Sequence, residues 1–326
     1  MRILIVKLSS LGDIFHALPA VHSLKTGTGA SIDWVAGAEY VEIVNCFNDV
    51  SNVISFPRKG FFRKFREFRA DLRKNSYDYV IDLQGLFKSG VVTFLARGNR
   101  KAGPSFHREF SRIFYKETAG ARDKNRHAVE ECLEVAVETG GKRIEPVFPV
   151  TFPESKIAPE RPAVAILSGA RWPTKIWPAG RFAEAAKRLM RENGADIYLL
   201  GGKDDVDICR SVAGKLGGKA HNLCGKTSLC ELGGILKEMD LLIANDSGPV
   251  HMSAAVGTPV LAVFGPTDPR RTGPYGKGHR VITGDTVCRP CFKRRCSKAR
   301  LQCMESITAE EVSATAGEML EQGRRR

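Results

Sequence analysis

The sequence predicts an α/β protein made of two doubly wound, Rossmann-like domains that face a cleft. Its 326 residues are too many for one ordinary domain and enough for two, each with its own core. Short apolar runs rich in β-branched residues alternate with segments of helical period, which is typical of parallel sheets covered by helices. Five prolines within residues 146–162 interrupt this alternation. We therefore predict one domain over residues 1–155 and a second over 156–326.

Four strands are predicted in each half of the chain, and no internal sequence repeat is evident. They cover residues 3–8, 32–36, 53–56 and 79–83, and then 163–167, 196–200, 241–244 and 260–264. A terminal helix is predicted over 308–320. Ligands bind at the carboxyl ends of the strands in doubly wound sheets, so the loops that follow the strands are the candidate sites.

Composition excludes several classes of protein. Hydrophobic residues make up 43% and charged residues 26%, which is ordinary for a globular chain and argues against disordered or collagen-like classes. No apolar run approaches the roughly 18 residues of a membrane span. The first apolar run ends at Lys7, too early for a secretory leader. We expect a cytoplasmic protein.

Positive charge is concentrated in one quarter of the chain. The net charge is +14, and residues 51–130 carry 18 Lys+Arg against eight Asp+Glu, which is ten of the fourteen net charges. This predicts an acidic partner for that region.

The loop after the first strand contains candidate catalytic groups. Residues 9–13 (SSLGD) lack the G-x-G-x-x-G spacing of a dinucleotide site, which argues against a hydride-transfer enzyme. Asp13 stands at the start of the next helix, where a carboxylate commonly caps the helix. Facing a ligand, the same carboxylate is suited to act as a general base. His16 is a competing base, and helix packing explains it equally well.

Four loops of the second half converge on one sheet edge. Residues 245–251 (NDSGPVH) predict an exposed helix N-terminus, which binds phosphate, and an ordinary capped helix is the alternative. Lys175 is placed as a point charge for a diphosphate, although a surface lysine alone would explain it. The acidic loop 201–205 is suited to ribose hydroxyls, and solvated loop carboxylates are the commoner case. A rigid GPTDP segment at 265–269 follows the strand 260–264.

Taken in order, these motifs resemble the ADP-heptose:lipopolysaccharide heptosyltransferases of glycosyltransferase family 9. The resemblance covers residues 1–285 and rests on VKLSSLGD at 6–13 with His16 and Pro19, YDYVIDLQGL at 77–86, HAVE at 127–130, Lys175 before Trp177 and Pro178, NDSG at 245–248 with His251, and GPTDP at 265–269. DLQGLFKS at 82–89, and GPTDP followed by Gly273 and Tyr275, resemble the heptosyltransferase I subfamily most.

The resemblance implies a GT-B fold with an N-terminal acceptor-binding domain and a C-terminal nucleotide-sugar-binding domain. Asp13 matches the family's catalytic base, and Ser10, Gly12 and His16 fall on the acceptor side. The donor-binding residues that it implies are Lys175, Asp205, Thr227, Asp246, Ser247, Gly248 and His251. Asp205 falls at the ribose-binding glutamate of the family, and Thr227 where an adenine-contacting methionine is found. Residues 169–171 replace a hydroxyl-bearing stretch of the family.

The acceptor that the resemblance implies is Kdo-lipid A, a polyanion in a membrane leaflet. Residues 56–69 interleave five phenylalanines with six basic residues, a composition that suits such a surface. An amphipathic helix over the core is the alternative, and nucleic-acid binding is not expected without a recognised module. The acceptor-binding candidates here are Arg58, Lys59, Arg63 and Lys64.

Four of the nine cysteines cluster near the C-terminus, at Cys288, Cys291, Cys296 and Cys303. This spacing is compatible with a structural zinc site, and free thiols or a disulfide are the alternatives. No cofactor is expected for catalysis, because a helix N-terminus and Lys175 can stabilise the charge that develops on a departing ADP.

Three hypotheses on function follow. The first is an inverting transferase that moves L-glycero-D-manno-heptose from ADP-heptose to a Kdo hydroxyl of Kdo-lipid A, at the cytoplasmic face of the inner membrane. The second is heptosyltransferase II, or another family 9 transferase with a different acceptor. The third is a binding module for a nucleotide sugar or an anionic lipid, without turnover.

Overall fold

The computed structural model describes residues 1–58, 60–123, 125–298 and 300–324, which form two units. The first unit is Met1–Thr151, and the second begins at Phe152. The boundary predicted from the prolines lies nearby, at residue 155.

The first unit alternates strands and helices along the chain. Its elements are β1 (Arg2–Val6), α1 (Leu11–Thr28), β2 (Ser31–Gly37), α2 (Val41–Val44), β3 (Asn52–Phe56), α3 (Phe61–Leu72), β4 (Tyr77–Asp82), α4 (Phe87–Leu95), β5 (Gly98–Pro104), β6 (Glu117–Ala119) and α5 (Ala128–Glu138). The six strands form one parallel sheet in the order β3-β2-β1-β4-β5-β6.

The second unit repeats this plan. Its elements are β7 (Ala163–Leu167), α6 (Ala179–Asn193), β8 (Asp196–Leu200), α7 (Val206–Lys215), β9 (His221–Asn222), α8 (Leu229–Lys237), β10 (Leu241–Asn245), α9 (Gly248–Ala255), β11 (Val260–Phe264), α10 (Pro269–Thr272), β12 (Arg280–Thr283), α11 (Gln302–Glu305) and α12 (Ala309–Arg324). The parallel sheet has the order β12-β11-β10-β7-β8-β9, which, counted from the unit's own first strand, is the order of the first unit.

All eight predicted strands are confirmed, with bounds shifted by up to two residues. Strands β5, β6, β9 and β12 were not predicted. The predicted terminal helix is confirmed as α12, which packs on α6 within the second unit.

Strand order places the candidate loops. In the first unit β1 and β4 are neighbours, paired up to Val6 and Asp82, and the chain leaves them toward opposite sides of the sheet. The same holds for β7 and β10, paired up to Leu167 and Ala244. These are topological switch points, where a crevice opens beyond the strand ends.

Candidate active site

The loop after β1 is tied to the loop after β4. The buried Lys7 donates from Nζ to the carbonyl oxygen of Leu83 at 2.6 Å, and the backbone N–H of Leu8 donates to Oε1 of Gln84 at 2.6 Å. Trp34 donates from Nε1 to the carbonyl oxygen of Lys7 at 3.0 Å. These long-range bonds fix the backbone that leads into Asp13.

Asp13 lies in the first turn of α1 and caps it. Its Oδ2 accepts hydrogen bonds from the backbone N–H of Ser10 at 2.9 Å and from the Ser10 hydroxyl at 2.6 Å. The carboxylate thus satisfies one of the N–H groups that a helix start leaves open. The capping interpretation is confirmed, and catalysis by Asp13 stays a prediction.

Ionisable groups surround the inner side of this turn. His16 is buried, and its ring meets that of His127 edge-on, with the centroids 5.3 Å apart. Burial raises the pKa of the Cys132 thiol; the charge of Lys7 opposes this shift, and the Asp13 and Glu131 carboxylates add to it. Lys7 and Asp13 therefore lie within electrostatic reach of one thiol. Gly12, also buried, belongs to the same turn.

A buried carboxylate supports the loop after β4. Asp82 accepts hydrogen bonds from the backbone N–H groups of Gln84 at 2.7 Å and Gly85 at 3.0 Å, and from the Tyr115 hydroxyl at 2.6 Å. Burial raises the pKa of Asp82, and these bonds to its ionised form oppose the rise. Lys7, Asp82 and Gln84 were not predicted from the sequence as residues that support these loops, although all three lie in the motifs that carry the family resemblance.

The basic residues of 58–64 are exposed where the structure describes them. Arg58 pairs with Glu39 at 2.9 Å, while Arg63 and Lys64 lie on the exposed side of α3. Lys59 lies outside the described residues. The buried Phe68 and the buried Leu72 pack the apolar face of α3 into the core of the first unit.

In the second unit, Asn245 joins the two loops of the switch point. Its Nδ2 donates to the carbonyl oxygen of Ser168 at 2.7 Å, and its Oδ1 accepts from the backbone N–H of Trp177 at 3.0 Å. The Asn245 side chain therefore fixes the start of the loop after β7 and also Trp177, which lies two residues after Lys175.

Lys175 and Asp246 form a largely buried ion pair. The distance from Lys175 Nζ to Asp246 Oδ2 is 2.6 Å, and the side chains are 16% and 6% exposed. Thr267, in the loop after β11, donates its hydroxyl hydrogen to the same Oδ2. The Lys175 ammonium also lies 4.7 Å from the ring centroid of Trp172. The predicted convergence of the loops after β7, β10 and β11 is observed, with a cation at its centre.

Ser247 is the N-cap residue of α9, and its Oγ is buried without a hydrogen-bond partner in the described part of the chain. Gly248 is the first residue of the helix and Pro249 the second. His251 is buried at the end of the first turn. Ser247 directly follows Asp246, the partner of Lys175, so an orphaned hydroxyl lies at a helix N-terminus next in the chain to this ion pair. Such an arrangement suits an anion.

Asp205 approaches the same site from the loop after β8. A Cβ atom built on Gly169 would lie 1.9 Å from Asp205 Oδ1, so only glycine leaves room for this carboxylate as placed. Asp205 Oδ2 accepts from the backbone N–H of Gly202 at 2.9 Å. Thr227 is half-buried directly before the N-cap of α8, and the nearby Gly225 bonds to Gly201 at 2.9 Å. Residues 169–171, which replace a hydroxyl-bearing stretch of the family, thus leave room for the Asp205 carboxylate.

A basic segment that sequence analysis did not connect with the donor side covers the loop 265–268. Arg289 donates to the carbonyl oxygens of Gly265, Thr267 and Gly284. Thr174 donates to the carbonyl oxygen of Lys293 at 2.8 Å, and the guanidinium of Arg294 lies 5.0 Å from the ring centroid of Trp172. Arg294 and Lys175 therefore approach the same indole. The sequence signal was the density of basic residues after residue 288.

This segment also contains the cysteine cluster. Burial raises the pKa of the Cys303 thiol, and Coulombic interaction with Cys288, Cys291 and Cys296 adds to the rise. All nine cysteines are free thiols. Within the described ranges, no group of three or more His, Cys, Asp or Glu side chains is arranged to hold a metal ion. Zinc binding stays a prediction.

Two doubly wound units of identical strand order, the second with an anion-binding arrangement at its switch point, define a two-domain α/β protein of the GT-B class. The sequence profile of glycosyltransferase family 9 (heptosyltransferase) matches residues 65–302. The chain belongs to this family, and the predicted fold class and family are confirmed.

Relatives cover nearly the whole chain. Lipopolysaccharide heptosyltransferase 1 of Pseudomonas aeruginosa is 31% identical over 316 residues, which cover 91% of this chain and 88% of the relative. Lipopolysaccharide heptosyltransferase 2 of Salmonella typhimurium is 26% identical, with 96% of each chain covered. The structure of E. coli heptosyltransferase WaaC with ADP superposes with a TM-score of 0.82 at 26% identity, covering 98% of this chain and 100% of the other.

Within the described ranges, no helix is both long and apolar enough to span a membrane.

Proposed function

We propose that this protein is an inverting heptosyltransferase that transfers L-glycero-D-manno-heptose from ADP-heptose to a Kdo hydroxyl of Kdo-lipid A. The observation that carries the proposal is the buried Lys175–Asp246 pair at the N-terminus of α9, beside the orphaned Ser247 hydroxyl. Relatives named lipopolysaccharide heptosyltransferase 1, at about 30% identity, and the ADP-bound WaaC structure support it.

The donor binds to the second unit in this proposal. Lys175 has three N–H donors, of which one meets Asp246, so it can also reach the diphosphate. Ser247, Gly248 and His251 receive the β-phosphate and the heptose, while Asp205 accepts from ribose hydroxyls and Thr227 lies toward the adenine. As the bond between the anomeric carbon and the β-phosphate oxygen breaks, ADP keeps the electron pair. Lys175 and the helix N-terminus stabilise the added negative charge.

The acceptor is activated by the first unit. Asp13 removes the proton of the attacking Kdo hydroxyl while the new bond to the anomeric carbon forms, which inverts the configuration there. Hydrogen bonds from Ser10 hold Oδ2, so Oδ1 is the oxygen that we assign to proton transfer. Ser10, Gly12 and His16 shape the acceptor side, and Arg58, Lys59, Arg63 and Lys64 attract its phosphates.

In this scheme the transfer needs no metal ion, because protein cations and a helix N-terminus neutralise the leaving group. The enzyme works in the cytoplasm, at the inner-membrane face where its lipid acceptor lies. Full loss of activity after chelation, restored by Mg²⁺, would contradict the first of these statements.

The decisive experiment mixes the protein with ADP-heptose and Kdo-lipid A and measures both ADP release and product mass. A mass gain of one heptose with stoichiometric ADP supports the proposal. Donor binding without turnover would reject Kdo-lipid A as the acceptor.

The second candidate is heptosyltransferase II activity. It is favoured by the relative of that name in Salmonella typhimurium, which matches 96% of the chain. Turnover with heptosylated Kdo-lipid A, and none with Kdo-lipid A itself, would establish it. A pure binding module would release no ADP with either acceptor.

A further inference from the structure

An apolar patch stands out on the surface of the first unit. It consists of Phe87 and Phe94 on α4, and of Phe110 and Ile113 at the 3-10 helix Ser111–Phe114. Their exposed fractions are 48%, 61%, 86% and 72%, which makes them half of the large hydrophobic residues that are exposed in the described chain. Exposed apolar residues gathered in one place mark interaction sites far more often than single ones do.

The ring of Phe114 packs beneath the patch. Phe114 is half-buried, with its ring 5.3 Å from that of Phe87 and 6.2 Å from that of Phe94, centroid to centroid. It rests on Gly90 of α4, where a Cβ atom would lie 2.5 Å from the Phe114 ring. Phe110 has a φ of 58°, in the left-handed region that a bulky residue rarely adopts. The packing of Phe114 against α4 therefore supports the exposed side chains of the patch.

Basic side chains border the patch. Lys101 lies with Nζ 5.6 Å from the ring centroid of Phe94 and donates to the Phe94 carbonyl oxygen at 2.6 Å. Arg112 is exposed and directly precedes Ile113, and Arg108 is exposed two residues before Phe110. Lys88 follows Phe87, but its Nζ lies 5.8 Å from the ring centroid of Phe56. One carboxylate intervenes, that of Glu109, whose Oε2 accepts from the backbone N–H of Phe87 at 3.2 Å.

We propose that this patch docks the first unit on an anionic lipid surface, with Phe87, Phe94, Phe110 and Ile113 entering the interface and Lys101, Arg108 and Arg112 meeting the headgroups. Charge complementarity selects this occupant, because exposed apolar side chains with cations beside them fit a negatively charged leaflet. A second copy of the chain would bring two basic rims together across a symmetric contact, where like charges repel.

Helix α3 is less suited to this role, although sequence analysis assigned the lipid-facing surface to residues 56–69. Phe68 is 3% exposed and Leu72 is fully buried, and Phe56 packs edge-on against Phe68 with the ring centroids 5.3 Å apart. The described apolar side chains of α3 are thus largely used by the core, whereas those of the patch face solvent. The biological meaning of the docking surface rests on the proposed function, because the acceptor there is a membrane lipid.

The test is vesicle co-sedimentation of the full chain, without donor or acceptor, so that failure of the proposed transferase activity cannot affect it. Vesicles of phosphatidylglycerol and phosphatidylethanolamine are compared with vesicles of phosphatidylcholine. The double variant Phe110→Ser/Ile113→Ser should partition at least about tenfold more weakly into anionic vesicles, since two apolar side chains are lost from the interface. Val287→Ser/Phe292→Ser, which removes exposed apolar residues of the second unit, should bind as the unaltered protein does.

A gain of signal complements this loss. Phe110→Trp should show a blue shift of its fluorescence with anionic vesicles only, because its indole then leaves water. Arg108→Glu should weaken binding in the same assay. Equal binding of Phe110→Ser/Ile113→Ser and the unaltered protein, or no preference for anionic vesicles, would overturn the proposal. So would a dimer in light scattering that this double variant converts to a monomer.

Discussion

At the residue scale, Asp13 has two roles to distinguish, as a cap of α1 and as the proposed general base. Each role is assigned to a different oxygen of its carboxylate. Oδ2 caps α1 through the N–H and hydroxyl of Ser10. An amide side chain keeps an oxygen for the cap and cannot accept a proton as a base. We predict that Asp13→Asn lowers the rate of ADP release at least about 100-fold, as removal of a general base does. Its melting temperature should change little.

Ser10→Ala is the matched control for Asp13→Asn. It removes one of the two bonds to the carboxylate but leaves the base, so it should cost about 1 kcal/mol of stability or less. Because Ser10 is on the acceptor side, its removal should raise KM for the acceptor, while kcat should fall far less than in Asp13→Asn. Turnover of Asp13→Asn at the rate of the unaltered protein would leave the carboxylate with the capping role alone.

Lys175 has a measurable role apart from turnover. Removing its ammonium deletes a charge-assisted contact, worth about 1.5–3 kcal/mol, to the ADP diphosphate. We predict that Lys175→Ala weakens ADP binding about 10- to 100-fold in calorimetry. Lys187→Ala, an exposed lysine on α6, is the control and should bind ADP normally. If Lys175→Ala bound ADP with unchanged affinity, Lys175 would not contact the diphosphate.

The sequence located the candidate loops but not their mutual contacts. Lys175, Asp246 and Ser247 could be found because small residues, charges and a helix start follow buried strands. The bond from Thr267 to Asp246 and the contact of Asp205 with Gly169 join residues far apart in the chain. Such pairs depend on backbone positions that no local pattern encodes.

At the scale of elements, a half-buried histidine joins β11 to the start of β12. His279 directly precedes this strand, and its Nδ1 accepts from the backbone N–H of Val260 in β11 at 3.2 Å. Burial lowers the pKa of His279, and a backbone hydrogen bond with Tyr275 opposes the shift. The unfolded chain therefore takes up a proton first as the pH falls, which favours unfolding.

The resulting prediction concerns stability against pH. The contribution of neutral His279 is complete above a pH of about 6.5, the ordinary pKa of histidine, and is lost as the pH falls through the lowered pKa. His279→Asn keeps an acceptor for Val260 and does not titrate. Its melting temperature should fall less than that of the unaltered protein over this acidic range. Parallel curves for the two proteins would exclude His279 as the titrating group.

The cysteine segment allows a second prediction at this scale. The four cysteine thiols interact electrostatically, and their segment is hydrogen-bonded to the loop 265–268. A zinc ion bound to the thiols would therefore hold that loop in place. The zinc hypothesis predicts one equivalent of zinc in protein prepared without chelator. Cys296→Ser should lose it, and Cys46→Ser, which changes a cysteine of the first unit, should retain it. Substoichiometric zinc in the unaltered protein would exclude a zinc site and leave the four cysteines as thiols, as they are in the structure.

The strands that sequence analysis missed share one property. β6, β9 and β12 are short edge strands, and β5, which pairs with the edge strand β6, carries Gly98, Arg100 and Lys101. Strands buried on both faces appear as continuous apolar runs, as β7 and β10 do. Strands toward the sheet edge need no such run and leave no clear signal.

At the scale of the whole molecule, two units with one strand order arise from halves without detectable sequence repetition. What the halves share is the alternation of buried strands and amphipathic helices, and this pattern suffices for the topology. Charge is distributed unevenly within the first unit, where residues 51–130 carry 18 Lys+Arg against eight Asp+Glu. This stretch is where we expect a polyanion to dock.

This asymmetry leads to a prediction on ionic strength. Exposed charges are screened beyond about 10 Å at 0.1 M salt, whereas buried pairs are screened much less. Lys175 is 16% exposed, while Arg63 and Lys64 are exposed on α3. Raising the salt concentration should therefore raise KM for vesicle-embedded Kdo-lipid A severalfold, with a smaller effect on the Kd of ADP. The charge reversals Arg63→Glu and Lys64→Glu should flatten the salt dependence of KM and spare ADP binding. If the Kd of ADP rose in parallel with KM, the positive charge would serve both substrates alike, and its concentration in residues 51–130 would not distinguish them.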